Sequence, residues 1–223
     1  SLFQENLRNI NRYHRIVKSV ENDINRLMSN LFQKLELEAF RKGITPRTQE
    51  SRDWFRRRVQ QLTRVNREAL MREDEITKVS SPLLGSMMMF FYDPKLKDKL
   101  PYYDTFPLVI PVESADGGFK GLNLHYIPPV LRAKFLDSLL DVVNNKKYDE
   151  STRFTLTYRL LKGASRFRFF QPCFKHYLLD HVKSRFAQVP APEWEIATFL
   201  PTASWKKASA GKVYSDSRKM ASV

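Results

Sequence analysis

Between residues 2 and 38 the apolar positions Leu7, Ile10, Val17, Val20, Ile24, Leu27, Met28, Leu31 and Leu35 recur at intervals of mostly three and four. That spacing marks one face of an α-helix, and neither Gly nor Pro interrupts it. Arg12, Lys18, Glu21, Asp23 and Arg26 fall among the polar positions. The heptad is not clean, so the stripe reads either as a face that meets a partner or as ordinary intramolecular packing. In the first reading Leu7, Val17, Ile24 and Leu31 are the interface, and the partner is a second copy or a neighbouring protein. Gly43 and Pro46 break the pattern. Ser51 then reads as the N-cap of a second helix running to about residue 71, with Asp53 and Trp54 in its first turn. Phe55, Val59, Leu62, Val65 and Leu70 supply its apolar contacts.

The pattern changes at residue 84. Two apolar runs, 84–92 and 106–112, are joined by a polar turn opening on Asp93-Pro94, and a Gly117-Gly118 turn leads to a third run, 119–126. These read as strands. Pro107 and Pro111 place the second at an edge or a bulge, and Gly121 allows a bend or a close backbone approach in the third. Pro129 is placed to open a helix to about residue 143, with Leu131, Phe135, Leu139 and Val142 at helical spacing, covering one face of the sheet. Residues 148–162 are ambiguous between helix and strand. Residues 174–182 read as helix after Pro172. Residues 194–200 read as a late strand between prolines, and 202–223 as an irregular tail ordered by a partner, with Trp205 as its anchor. The expectation is an α+β fold: a small, strongly bent β-sheet or SH3-like barrel, with long N-terminal helices and a covering helix. Its parts are a helical arm (1–78), a compact α+β module (79–201) and the tail (202–223).

Charge narrows the class of partner. Lys and Arg number 38 against 24 acidic residues, a formal charge of +14. Such an excess points to a polyanion or an acidic protein surface. The second helix carries Arg52, Arg56, Arg57, Arg58, Arg64 and Arg67. Neighbouring positions are rotated by about 100°, so these arginines form a broad band, better suited to phosphates than to base edges. The alternative is a solvated face with local partners such as Glu50, Asp53 and Glu68. A second basic stretch, 159–185, interleaves Arg159, Lys162, Arg166, Arg168, Lys175, Lys183 and Arg185 with Phe167, Phe169, Phe170, Phe174 and Tyr177. Cations with aromatics can hold a backbone and stack an exposed base; the other reading puts most of these phenylalanines in the core, with the charge still giving sequence-independent affinity. The candidate phosphate contacts are therefore Arg56, Arg57, Arg64, Arg67, Arg166, Arg168 and Lys175.

Other chemistry finds little support. The single cysteine, Cys173, forms no intrachain disulfide and reads as a small buried hydrophobe in a reducing compartment. Four scattered histidines and one cysteine make no zinc pattern, and His125 reads as structural or as an interface residue. Asp93, Asp104, Glu113 and Asp116 would have to converge to run metal-dependent nuclease chemistry; Asp93 and Asp116 sit in turns instead. The glycines at 117, 118 and 121 lack the Lys-Ser/Thr of a phosphate loop. No metal, cofactor or catalytic residue is expected. The apolar runs are too short to span a bilayer, so no membrane partner is expected.

Phe91-Tyr92-Asp93-Pro94-Lys95, Leu100-Pro101-Tyr102-Tyr103-Asp104, Phe106-Pro107, Gly117-Gly118-Phe119, Gly121-Leu122-Asn123-Leu124-His125-Tyr126 and Pro128, with Thr45-Pro46-Arg47 and Trp54-Phe55, resemble a structural family of T-even-type contractile-tailed phages and their cyanobacterial relatives. The resemblance covers the chain from about residue 45 and is greatest to the DNA end protector family of head-completion proteins. It implies a non-enzymatic virion protein, assembled in the host cytoplasm among other virion proteins, that holds or shields the end of packaged double-stranded DNA. A tail-hub or baseplate component making only protein contacts is the rival reading.

Overall fold

The structure is a computed structural model and describes residues 31–62, 65–74, 76–142, 147–161 and 171–222. The predicted interface positions Leu7, Val17 and Ile24 lie outside the described residues. Leu31 opens the first described helix, α1 (Leu31–Arg41), half-buried against the core that Phe32, Leu35 and Ala39 enter. The chain continues through α2 (Gln49–Gln60), α3 (Arg67–Arg72), β1 (Lys78–Val79), β2 (Met87–Met89), β3 (Tyr103–Asp104), β4 (Leu108–Ala115), β5 (Gly118–Asn123), α4 (Pro129–Val142), α5 (Glu150–Leu161), β6 (Phe174–Leu178), β7 (Phe186–Val189), α6 (Trp194–Phe199), β8 (Trp205–Lys206) and α7 (Ala210–Ser222).

Six strands form one antiparallel sheet in the order β1-β7-β2-β4-β5-β6. β5 and β7 stand three strand spacings apart, about 14 Å in a flat sheet. Yet Phe119 of β5 and Phe186 of β7 meet at 6.0 Å between ring centroids, and Phe90, just after β2, meets Tyr177 of β6 at 5.5 Å. The sheet therefore curls round a buried aromatic cluster of Phe90, Tyr92, Phe119, Tyr177 and Phe186. It bends as expected, but it does not close into a barrel. Pro111 sits at a register shift in β4, where Glu113 rather than Val112 faces Lys120, so the ladder bulges at the residue that lacks a donor.

The opposite face, with Met87, Met89, Ile110 and Leu122, packs with residues of α1, α2, α4 and α6 in one hydrophobic cluster. The described part of the predicted arm thus shares its core with the predicted module. Phe55 of α2 stacks on Phe199 of α6 at 6.5 Å.

Several expectations are corrected. α2 is capped by Thr48, whose side chain accepts from the Ser51 amide, while the Ser51 hydroxyl donates to Glu195. α2 stops at Gln60, and Asn66 caps a separate α3 by accepting from the Ala69 amide, a local bond that competes with continuing the helix. Residues 174–178 are strand β6, because the open edge of β5 offers a ladder to them. Residues 194–199 are helix α6: a short helical turn after Pro190 leads directly into it, and burial of Trp194, Ile196, Ala197 and Phe199 outweighs strand propensity. The tail is ordered as β8, paired with β3, and as α7. The ambiguous stretch resolves as α5. No helix among the described residues is long and apolar enough to cross a membrane.

Candidate nucleic-acid interface

The turn after Asp93-Pro94 folds back through 3.2 Å and 2.9 Å backbone bonds from Lys97 to Pro94 and from Lys99 to Leu96. Lys207 fixes it from β8's end by donating to the carbonyls of Lys97, Asp98 and Leu100. This loop, β3, β6 and the end of α7 enclose an open groove of about 570 Å³. Tyr92, Tyr102, Tyr103, Tyr126, Phe174 and Tyr177 line it, together with Lys95, Lys175 and His176. Trp205 supports the wall edge-on, 4.8 Å from Tyr126 and 6.2 Å from Tyr102 between centroids.

Lys175 is the cation at the centre of this arrangement. Its Nζ lies 4.0 Å from the Tyr126 ring centroid, a cation–π contact. No carboxylate pairs with it among the described residues, and burial lowers its pKa below the usual lysine value. An ammonium in that position favours the approach of an anion, which restores what desolvation removed.

Beneath the groove lies a buried polar network. Asp104 accepts from the amides of Phe106 and Ser204, and its Oδ2 lies 2.6 Å from His125 Nδ1. Burial pushes the Asp104 carboxyl up, but His125 and the two amides outweigh it and hold the group below the ordinary carboxylate range. Burial lowers the His125 pKa, against the pull of Asp104 and with help from the nearby guanidiniums of Arg132 and Arg67. The imidazole is therefore neutral at neutral pH. Because the carboxylate only accepts, Nδ1 carries the proton, and Nε2 takes the Thr202 hydroxyl at 3.0 Å. Arg132, fully enclosed, donates to the carbonyls of Ile127 (2.6 Å) and Thr198 (2.8 Å) and to the Tyr214 hydroxyl (3.0 Å). It thereby ties α4, α6 and α7 together behind the groove.

The predicted phosphate contacts divide. Lys175 is in the groove. Arg56 and Arg57 are exposed on α2. Arg67 spends its donors on the carbonyls of Thr202 and Ala203, which makes it a brace for the tail. Arg64, Arg166 and Arg168 lie outside the described residues. Elsewhere on α2, Arg58 is held by both oxygens of Glu38 at 3.0 Å and Arg52 by Asp137, carboxylates that come from α1 and α4 and not from the neighbouring Glu50, Asp53 or Glu68. Trp205, predicted to face a partner, packs on the chain's own tyrosines.

Of the tested carboxylates, Asp93 pairs with Lys97, Glu113 with Lys120, and Asp104 with His125. Among the described residues no group of three or more His, Cys, Asp or Glu is arranged to hold a metal ion. Cys173 is buried, and burial pushes its thiol up to about 12. Sequence reading missed Tyr126, Tyr102, Lys95 and Arg132. Of the groove's aromatic wall, it singled out Phe174 and Tyr177, which stand beside Lys175 in the chain.

No curated protein and no solved structure matches the chain. A family model described as the Phage T4 terminal DNA protecting protein matches residues 3–222. That span takes in the basic helix, the groove and the tail that braces it, and the chain belongs to the family of the phage T4 terminal DNA protecting protein.

Proposed function

We propose that the chain binds the end of packaged double-stranded DNA at head completion, with the terminal nucleotide seated in the tyrosine-walled groove and its phosphate on Lys175. The observation that carries this reading is Lys175 itself: a largely buried cation with no carboxylate partner among the described residues, in a groove where the partly exposed rings of Tyr102, Tyr103 and Phe174 can stack a base. Exposed Arg56 and Arg57 supply sequence-independent contacts to phosphates further along. The residues bind and occlude; they make and break no bond. An exonuclease that needs a free terminus finds none. The site of action is the virion, reached by assembly in the host cytoplasm, and the neighbours are other virion proteins.

The test is protection of a linear blunt duplex from a processive exonuclease. Replacing Lys175 by Met keeps the stem over Tyr126 and removes the charge. Lys175→Met is expected to raise the protein concentration needed for half-protection at least tenfold. Paired neutralisation of Arg56 and Arg57 is expected to raise it two- to fivefold, with a weaker salt dependence. Unchanged protection by Lys175→Met would remove the groove from the reading.

A further inference from the structure

On the far side of the core a second groove of about 440 Å³ runs between α1 and α6. Leu37, Phe40, Ile44 and Phe55 give it an apolar floor and rim, and Glu36, Glu193 and Glu195 give it carboxylates. Among the described residues no lysine or arginine lines it, in a chain whose net charge is +14. Phe40 is 78% exposed, the largest exposure of any bulky apolar side chain described. Glu195 is engaged, accepting from the Arg47 amide at 2.9 Å and the Ser51 hydroxyl at 2.8 Å. Glu193 keeps an oxygen open: it is only 5% exposed, and its Oε2 has no hydrogen-bond partner among the described residues. A buried carboxylate left open beside an exposed aromatic is complementary to a cation carried on an apolar helix face.

This chain carries such a segment. Residues 1–30 place Leu7, Ile10, Val17, Val20, Ile24 and Leu27 at helical spacing, with Arg8, Arg12, Arg15, Lys18 and Arg26 against Glu5, Glu21 and Asp23. We propose that the Phe40–Glu193 groove receives residues 1–30 of a second copy of the chain. The segment joins α1 at Leu31 through a sequence without Gly or Pro, whereas the groove residues Glu36, Leu37 and Phe40 stand toward the other end of α1. If α1 were continued backward from Leu31 as a helix, it would rise about 1.5 Å per residue away from its own groove, which favours the groove of a neighbour. Reciprocal exchange closes a two-fold dimer.

The test uses the full chain without DNA, so it stands apart from the end-binding reading. The photoreactive residue p-benzoyl-phenylalanine is installed in place of Phe40, and isotopically heavy and light chains are mixed before irradiation. The expected product has twice the chain mass, with heavy–light crosslinks from position 40 into residues 1–30. Sedimentation of Glu193→Gln is expected to show self-association weakened about tenfold. Crosslinks confined to one chain, crosslinks into other regions, or a monomer at every concentration overturn the proposal. An unchanged association constant in Glu193→Gln overturns it too.

Discussion

Two buried groups, Glu193 and His125, move stability in opposite directions with pH. Burial pushes the Glu193 carboxyl up from 4.5 to about 7, and the charge of Glu36 adds to it. The folded chain therefore holds this proton where the unfolded chain has lost it, and stability falls as pH rises from 4.5 to about 7. The loss is on the order of 2–3 kcal/mol. His125 is depressed, so below about 6.5 the unfolded chain takes up a proton that the folded one refuses, and stability falls as pH drops. Asp104, also depressed, contributes stability that is lost only at still lower pH. Glu193→Gln removes the alkaline loss. By urea titration of dilute protein, the variant is expected to be more stable than wild type by about 2–3 kcal/mol at pH 8 and equal to it near pH 4.5. An equal gain at both values would show that Glu193 does not change charge on folding. At concentrations where copies associate, the gain at pH 8 shrinks, because a cation in the groove compensates the carboxylate.

β6 depends on what β5 lacks. A Cβ built on Gly118 would stand 1.8 Å from the Tyr177 carbonyl oxygen, backbone that has no freedom to withdraw while the ladder is intact. Gly118→Ala is expected to cost about 3 kcal/mol or more, by prising β6 from the sheet and Tyr177 from the aromatic cluster. Gly43→Ala, at φ +68 with nothing within 4 Å of the added carbon, is expected to cost about 1 kcal/mol. Equal effects in a denaturant series would mean that the β5–β6 approach is not tight. The same pairing explains what the sequence concealed. The Gly117-Gly118 turn and Pro129 are local signals, and the β4–β5 hairpin and α4 stand where those residues put them. Phe174-Lys175-His176-Tyr177-Leu178 has two aromatics that favour strand but lacks the apolar–polar alternation that would mark one. Its conformation is decided by an edge more than fifty residues earlier in the chain. α6 is the converse, with Ile196 and Thr198 favouring strand until α2 and α4 supply a surface to bury them.

At the scale of the whole molecule the candidate site was half visible. The interleaving of cations and aromatics drew attention to Lys175, but its companions come from residues 92–103, Tyr126 and the tail, brought together only by β6 pairing and by β8 lying on β3. The Arg56–Arg57 surface lies on a different element and does not line the groove. This separation makes a quantitative distinction. A protein that coats DNA through a basic surface binds in proportion to base pairs, with affinity falling steeply in salt as each neutralised phosphate releases its counterions. A protein that seats a terminal nucleotide binds in proportion to ends. At a fixed molar concentration of termini, lengthening a linear duplex from about one hundred to about one thousand base pairs is expected to leave half-protection within twofold, since the coating term stays weak at physiological salt. Closed circular DNA, equal in mass, is expected to compete at least tenfold less well than the linear form. Lys175→Met should erase this preference for ends and leave the weak, length-proportional binding of Arg56 and Arg57 behind. If circular and linear DNA compete equally per base pair in the wild type, the positive surface alone does the binding, and the groove serves some other ligand.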